Sequence, residues 1–446
     1  MRKNLNKEIL RLAVPSIFAN MTVPLVGMVD TALAGHLGTH SASYIGAISV
    51  GSMFFSLLYW SFSFLRTGTS GLTAQAFGRE DMQDCGLHLY RGLSLSLIIA
   101  AVMLLLQTPF LKFAVLITDG SEAVESLAQR YFYIRVWAAP ATLSLMTFRG
   151  WFIGMQQTMD SMWTDLIINI VNIGASILLT FGIGSWEGIG FDGIALGTVI
   201  AQYCGLAYCC LCLAFKYRKR LNGISVSKEQ IFGRISDYFK MNLNLLVRSF
   251  FFIMIYIGYT MLSAKFGDVM LSCGAIMMQL LMLFSYFTDG FAYAGEALSG
   301  RFIGARDKES FLASVKGVFI WSLSITGLFM IFYVLADEPL LRMMTSDAEV
   351  LEACNNFLPW LVLMPPLGCI AFTWDGIFLG GTDAKSLRNS MGGATIAFFA
   401  IWYIGKWLLH PVGTTAIHLL LAAYFAHLIF RSIYLSVKWK SLLAKF

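Results

Sequence analysis

Asp30 lies inside AVPSIFANMTVPLVGMVDTALAGHLG, residues 13–38, an apolar run long enough to cross a bilayer. A carboxylate near the middle of a spanning helix costs about 2.5–3.5 kcal/mol, so such a residue usually lines a cavity or an ion path. The same run holds Pro15 and Pro24. Each removes a backbone donor and favours a bend, which lipid tolerates only where neighbouring groups or water satisfy the freed carbonyls. Further along, Asp289 and Glu296 are seven residues apart and so fall two turns apart on one helical face. With Asp375 they make an acidic set suited to an organic cation or a proton. Asn169, Asn172 and Ser176 form a polar constellation in NIVNIGASILLTFG, the last two four apart on one face. Amides in an apolar helix can also simply bond neighbouring helices.

The elements that must carry these residues follow from composition. Apolar residues make up 57% of the chain and charged residues 13%, with a net charge of +6. A soluble domain would show more charge and shorter apolar runs. We read twelve spans, at about 8–34, 44–70, 88–110, 127–152, 160–183, 190–215, 237–262, 272–298, 312–336, 353–380, 387–409 and 413–437. With the N-terminus inside, the inner segments hold Arg2, Lys3, Lys7, the Lys216–Arg220 cluster, Arg301, Arg306, Lys308, Lys385, Arg388 and the tail lysines. The outer loops hold few cations, such as Lys112, Lys265 and Lys406. Both termini are therefore expected in the cytoplasm. The basic charge is topological, and no aromatic-interleaved basic patch points to nucleic acid. The first run is too long, and too interrupted by proline and acid, for a cleavable signal.

Two related halves are legible. GLTAQAFGRED (residues 71–81) aligns with ALSGRFIGARD (297–307), and the same shift brings Pro140 onto Pro366, Phe148 onto Trp374, Gly150 onto Gly376 and Gly154 onto Gly380. Six spans per repeat keep both halves in one orientation, with a substrate site expected between them. The expected division is 1–215, a linker at 216–236, and 237–446. At equivalent positions Arg149 stands opposite Asp375, while Asp289 and Glu296 face Ser63 and Ser70. The acids near helix ends could instead pair with Arg301, Arg149 or Arg388. Arg66 is too far in depth, on the order of 15 Å, to pair with Asp30.

The cysteines, four of them crowded at 204, 209, 210 and 212, show neither metal spacing nor an extracellular pairing pattern and read as packing residues. MMQLLMLFSYF (277–287) would give an adaptable apolar wall wherever it faces a cavity. His36 and His40 flank an outer turn and could titrate there. No GxxxxGK[ST] phosphate loop and no HExxH pair is present, so ATP hydrolysis and zinc proteolysis lose their usual signatures, and no enzyme constellation stands out.

MVDTALAGHLG, GLTAQAFGRED, NIVNI, DGFAYAGEAL and WDGIFLGGTDAKSLRNSM, in that order, resemble the DinF branch of the multidrug and toxic compound extrusion (MATE) transporters, essentially end to end. The resemblance implies an all-α membrane protein of two six-helix bundles in a V, and export of cationic or amphipathic toxic compounds driven by protons or sodium, with no bound cofactor. It places the family's first-helix aspartate on Asp30 and its fifth-helix asparagine on Asn172. It places the branch's later acids on Asp289, Glu296 and Asp375. Ser176 departs from the pattern, since many relatives carry a second aspartate there, which puts a sodium site in doubt. The expected partners are small organic cations or amphipathic drugs and the lipid bilayer, with the chain a monomer in a bacterial inner membrane. The nearest alternative is a lipid-linked oligosaccharide flippase of the same superfamily, which would favour buried basic residues. A major-facilitator carrier would need a basic loop where QAFGREDMQDCG (75–86) is mixed in charge, and a membrane-embedded transferase would need an acid–base pair or metal site at one interface.

Overall fold

The computed structural model describes residues 2–37, 41–117, 122–221, 235–345 and 347–446. His40 and most of the expected linker lie outside them. The described residues are helical apart from short connections, with one isolated β-bridge between Ile183 and Trp186. Eleven helices among them are long and apolar enough to cross a membrane. The twelfth expected span, 127–152, is divided into helices Glu122–Arg135 and Ala139–Gly154 by a 3-10 turn at Val136–Ala138. Pro140 opens the second piece, where its missing N–H costs nothing. Many large apolar side chains stay exposed, Leu105, Phe215, Leu335 and Trp407 among them, as a lipid-facing surface requires.

The first helix, α1 (Arg2–Gly35), is helical without a break through both Pro15 and Pro24, which were expected to bend it. Contacts group the chain into two units. One contains 18–76 and 81–235; the other contains 1–17, 77–80 and 236–446. The first half of α1 therefore packs with the C-terminal helices, unlike the division at 215 read from the sequence. Glu8 pairs with Arg301, Trp321 Nε1 donates to Asn6 Oδ1 at 3.3 Å, and Gly290 lets Ala13 and Ile17 approach.

Within each unit the repeat reappears as backbone geometry. In the first unit, α2 (Phe64–Gly78) packs against α3 (Ala139–Gly154); in the second, α4 (Asp268–Gly304) packs against α5 (Leu358–Gly380). A Cβ on Gly150 would lie 2.2 Å from the Arg66 carbonyl oxygen, and one on Gly376 would lie 2.1 Å from that of Ala292. One turn on, Gly154 meets the Ser70 carbonyl at 2.7 Å and Gly380 that of Glu296 at 2.2 Å. These four glycines permit the close helix approach that replaces the hydrophobic drive missing in lipid. The caps repeat too. Asp81 accepts from the Asp84 N–H at 2.9 Å, and Asp307 accepts from the Ser310 N–H at 3.0 Å. Glu80 and Arg306, then Gln156 and Thr382, adopt positive φ at equivalent turns. Non-glycine residues pay for that conformation with about 1–2 kcal/mol each.

Replacing Gly150 or Gly376 with Ala should lower the melting temperature in detergent strongly, through overpacking worth about 1–3 kcal/mol or more. Gly174→Ala and Gly327→Ala, where a Cβ meets nothing within 4 Å, should leave stability unchanged or raise it by about 0.5–1 kcal/mol. Equal melting of all four variants would refute this account of the packing.

Candidate functional site

In the first unit, Asp30 is 1% exposed, and its Oδ1 has no hydrogen-bond partner among the described residues. It lies within electrostatic reach of Arg135 and Tyr131, both on the helix that ends at the 3-10 turn. Arg135 Nη1 donates to Ser52 Oγ at 3.0 Å and to the Tyr131 hydroxyl, and its guanidinium stacks 5.1 Å from the Phe55 ring centre. Asp30 thus lies within the field of a held cation. The break at Val136 places that cation at the end of its helix.

Asn172 and Ser176 lie on α6 (Thr158–Phe181), against α7 (Phe191–Leu211). Gly197 brings α7 so close that a Cβ there would meet Ser176 Oγ at 2.3 Å. Ser176 Oγ donates to the Ile194 carbonyl at 3.5 Å, and Asn172 Nδ2 donates to Thr198 Oγ1 at 3.0 Å. Both side chains therefore hold the seam between two helices, while Asn172 Oδ1 remains buried without a hydrogen-bond partner. Asn169 is buried on the same helix. Asp30 and Asn172 share a unit, but neither of their unpartnered oxygens bonds the other. Arg149, expected in the substrate cavity, forms an ion pair with Asp165 on α6.

In the second unit a cavity of about 180 Å³ is lined by Asp289, Asp375, Arg248, Arg431 and His427, with Met278, Phe252 and Phe372 in its apolar wall. It is smaller than the roughly 300–1,000 Å³ of drug-sized pockets, so it has room for a head group or several waters. Asp375 Oδ2 accepts from Arg248 Nη2 at 2.6 Å and from Arg431 Nη2. Its partners are therefore not Arg301, Arg149 or Arg388: Arg301 pairs with Glu8, and Arg388 donates to Asn244 Oδ1 at 2.7 Å. His427 is 1% exposed, and its Nδ1 contacts the Tyr424 carbonyl. That contact requires the hydrogen on Nδ1, so the neutral ring carries its acceptor at Nε2. Glu296 is fully buried, yet it does not line this cavity.

Arg248 and Arg431 set two cations against the acidic set expected from the sequence. This cavity holds two guanidiniums against two carboxylates, so its fixed charge is not negative. Both arginines, with Arg135 and Asp165, sit inside apolar runs. They carry the signal that singled out Asp30, yet the sequence reading took up only Arg66 and Arg149 among the cations inside the spans.

Long apolar helices, in two repeats that bury charges inside them, define a multi-span membrane protein. The MatE family model matches residues 15–178 and 245–388. The chain is 35% identical over 439 residues to the DNA damage-inducible protein F of Escherichia coli (strain K12), covering 98% of this chain and 92% of the relative. It is 24% identical over 412 residues to the probable multidrug resistance protein NorM of Thermotoga maritima, covering 89% and 83%. A crystal structure of MATE in the bent conformation superposes with a TM-score of 0.84 at 17% identity, covering 99% of this chain and 96% of the other. The eukaryotic MATE transporter AtDTX14 gives 0.85 at 14% identity, covering 99% and 98%. The chain belongs to the MATE family of multi-span membrane transporters, which act on small molecules.

Breaking one side of a buried ion pair leaves an uncompensated charge, at about 3–5 kcal/mol. Asp375→Asn and Arg431→Met should therefore each lower the thermal stability of purified protein well beyond Arg342→Met, whose pair with Glu338 is exposed. Melting curves that rank Arg342→Met as the most harmful would contradict the pairing described.

Proposed function

We propose that the protein is a secondary antiporter that exports cationic or amphipathic toxic compounds in exchange for protons, with Asp30 the coupling residue. The observation that carries this reading is a carboxylate 1% exposed in an apolar helix with one oxygen unpartnered. Such an oxygen can take a proton without rearranging any hydrogen bond. Protonation cancels the charge that Asp30 sets against Arg135 and Tyr131, and this biases the helix that carries it toward a second arrangement. Sodium without water needs several oxygen ligands. Asp30 is the one formal charge proposed for the set of Asp30, Asn172 and Ser176. The Asn172 Oδ1 acceptor keeps sodium as the competing ion.

Cation recognition falls to Asp289, because Asp375 is committed to two guanidiniums. The half-buried Asp289 lies at the cavity wall beside methionines that adapt to ligands of different shape. Arg248 and Arg431 favour a second reading, a substrate bearing an anionic head group, as an oligosaccharide-lipid flippase would require.

In liposomes, an imposed pH gradient should drive efflux of a fluorescent organic cation in sodium-free buffer, and Asp30→Asn should reduce it to the level of protein-free vesicles. Efflux that follows a sodium gradient at constant pH and survives Asp30→Asn would overturn the proton reading. Asp289→Asn should weaken protection of a drug-sensitive host against cationic compounds at unchanged expression; undiminished protection would remove this residue from recognition.

A further inference from the structure

Two of the eight cysteines meet in the second unit. Cys273 lies in the second turn of α4, and Cys354 lies near the end of α8 (Ala348–Asn355), the short helix that leads into α5. Both are fully buried in the apolar core of that unit. Their sulfurs are 2.9 Å apart, less than an ångström beyond the covalent S–S length of about 2.0 Å. The remaining six cysteines are placed quite differently. Cys204, Cys209, Cys210 and Cys212 sit along one helix and its continuation, and Cys85 and Cys369 donate or pack elsewhere.

Sidedness decides what such a pair becomes. With both termini inside, the eighth span enters from the outer face, and the tenth span begins there as well. Lys265, an outer-loop residue, precedes α4 by only three positions. Both sulfurs are thus at the outer end of the membrane, where thiols meet an oxidising compartment.

We propose that Cys273 and Cys354 form a disulfide that ties the outer end of α4 to the helix preceding α5. The bond forms by exchange while these ends are emerging and before the core closes over them. The thiolate of one cysteine attacks the disulfide of an oxidant, a dithiol–disulfide oxidoreductase or a small disulfide of the outer compartment, giving a mixed disulfide. The second cysteine then displaces the oxidant's remaining sulfur. The two thiols lose two protons and two electrons, and the oxidant leaves as two thiols. The bond joins the helix carrying Asp289 and Glu296 to the segment that leads to Asp375, so these elements would move as one body at their outer ends.

The test counts thiols. Cells are lysed directly into SDS with excess N-ethylmaleimide, so that every free thiol, buried ones included, is blocked before the full-length protein is purified. A second, heavier maleimide is then added after reduction. In wild type, two of the eight cysteines should acquire the heavy label, and peptide mass spectrometry without reduction should find the 273–354 linked pair. Cys273→Ala and Cys354→Ala should each acquire none. Wild-type protein with no heavy label, or a linked peptide joining other cysteines, would overturn the proposal. The wild-type count does not depend on how well either variant folds.

Discussion

Hydrocarbon offers no hydrogen bonds, and that constraint organises both units. Every charge placed in the spans must find its compensation inside the protein or titrate away. Asp375 sits between Arg248 and Arg431, Arg149 faces Asp165, and Arg135 is held by Ser52, Tyr131 and the Phe55 ring. Asp30 is held less directly than these pairs. It has a cation within reach, but one of its oxygens lacks a direct bond. A buried acceptor left bare in lipid carries a free-energy cost that a proton or cation can relieve, and such a site suits coupling better than a saturated ion pair does.

The same constraint explains the glycines. Helices in lipid gain little from burying apolar faces, so they associate through close packing. Gly150 and Gly154 lie against the carbonyls of Arg66 and Ser70, and Gly376 and Gly380 lie against those of Ala292 and Glu296. These are equivalent positions in the two halves. A duplicated helix pair has thus kept its backbone contact while its side chains diverged. At one such position the divergence inverted the charge, from Arg149 to Asp375, and each half then supplied a local partner of opposite sign. The turn residues Glu80 and Arg306, and Gln156 and Thr382, retain positive φ in spite of the strain, because the following helix starts depend on that turn.

Charge balance in the second unit bears on specificity. Two guanidiniums and two carboxylates around one small cavity make it a polar site of both signs, walled by methionine and phenylalanine. A wall of that kind offers flexible apolar contact, and Asp289 adds a carboxylate to it. The Tyr424 carbonyl fixes a hydrogen on Nδ1 of His427, so that the neutral ring carries its acceptor at Nε2.

Periodicity, composition and the internal repeat were enough to determine the membrane class, the helices and the repeat register, because each depends on local apolar runs or on a fixed shift along the chain; the family was legible only through the resemblance of five short motifs in order. Asp30 was legible for the same reason: an acid inside an apolar run is expensive wherever its neighbours lie. Pairing was not legible. Asp375 meets Arg248 and Arg431 across long stretches of sequence, Ser176 turns to the Ile194 carbonyl because Gly197 admits α7 there, and Cys273 reaches Cys354 through the core of one unit. Residues 1–17 likewise join the second unit through contacts distant in sequence, Glu8 with Arg301 among them. Such choices belong to the tertiary structure, since a buried charge, hydroxyl or thiol is specified by what the packed helices bring within about 3 Å of it, and sequence separation carries no record of that distance.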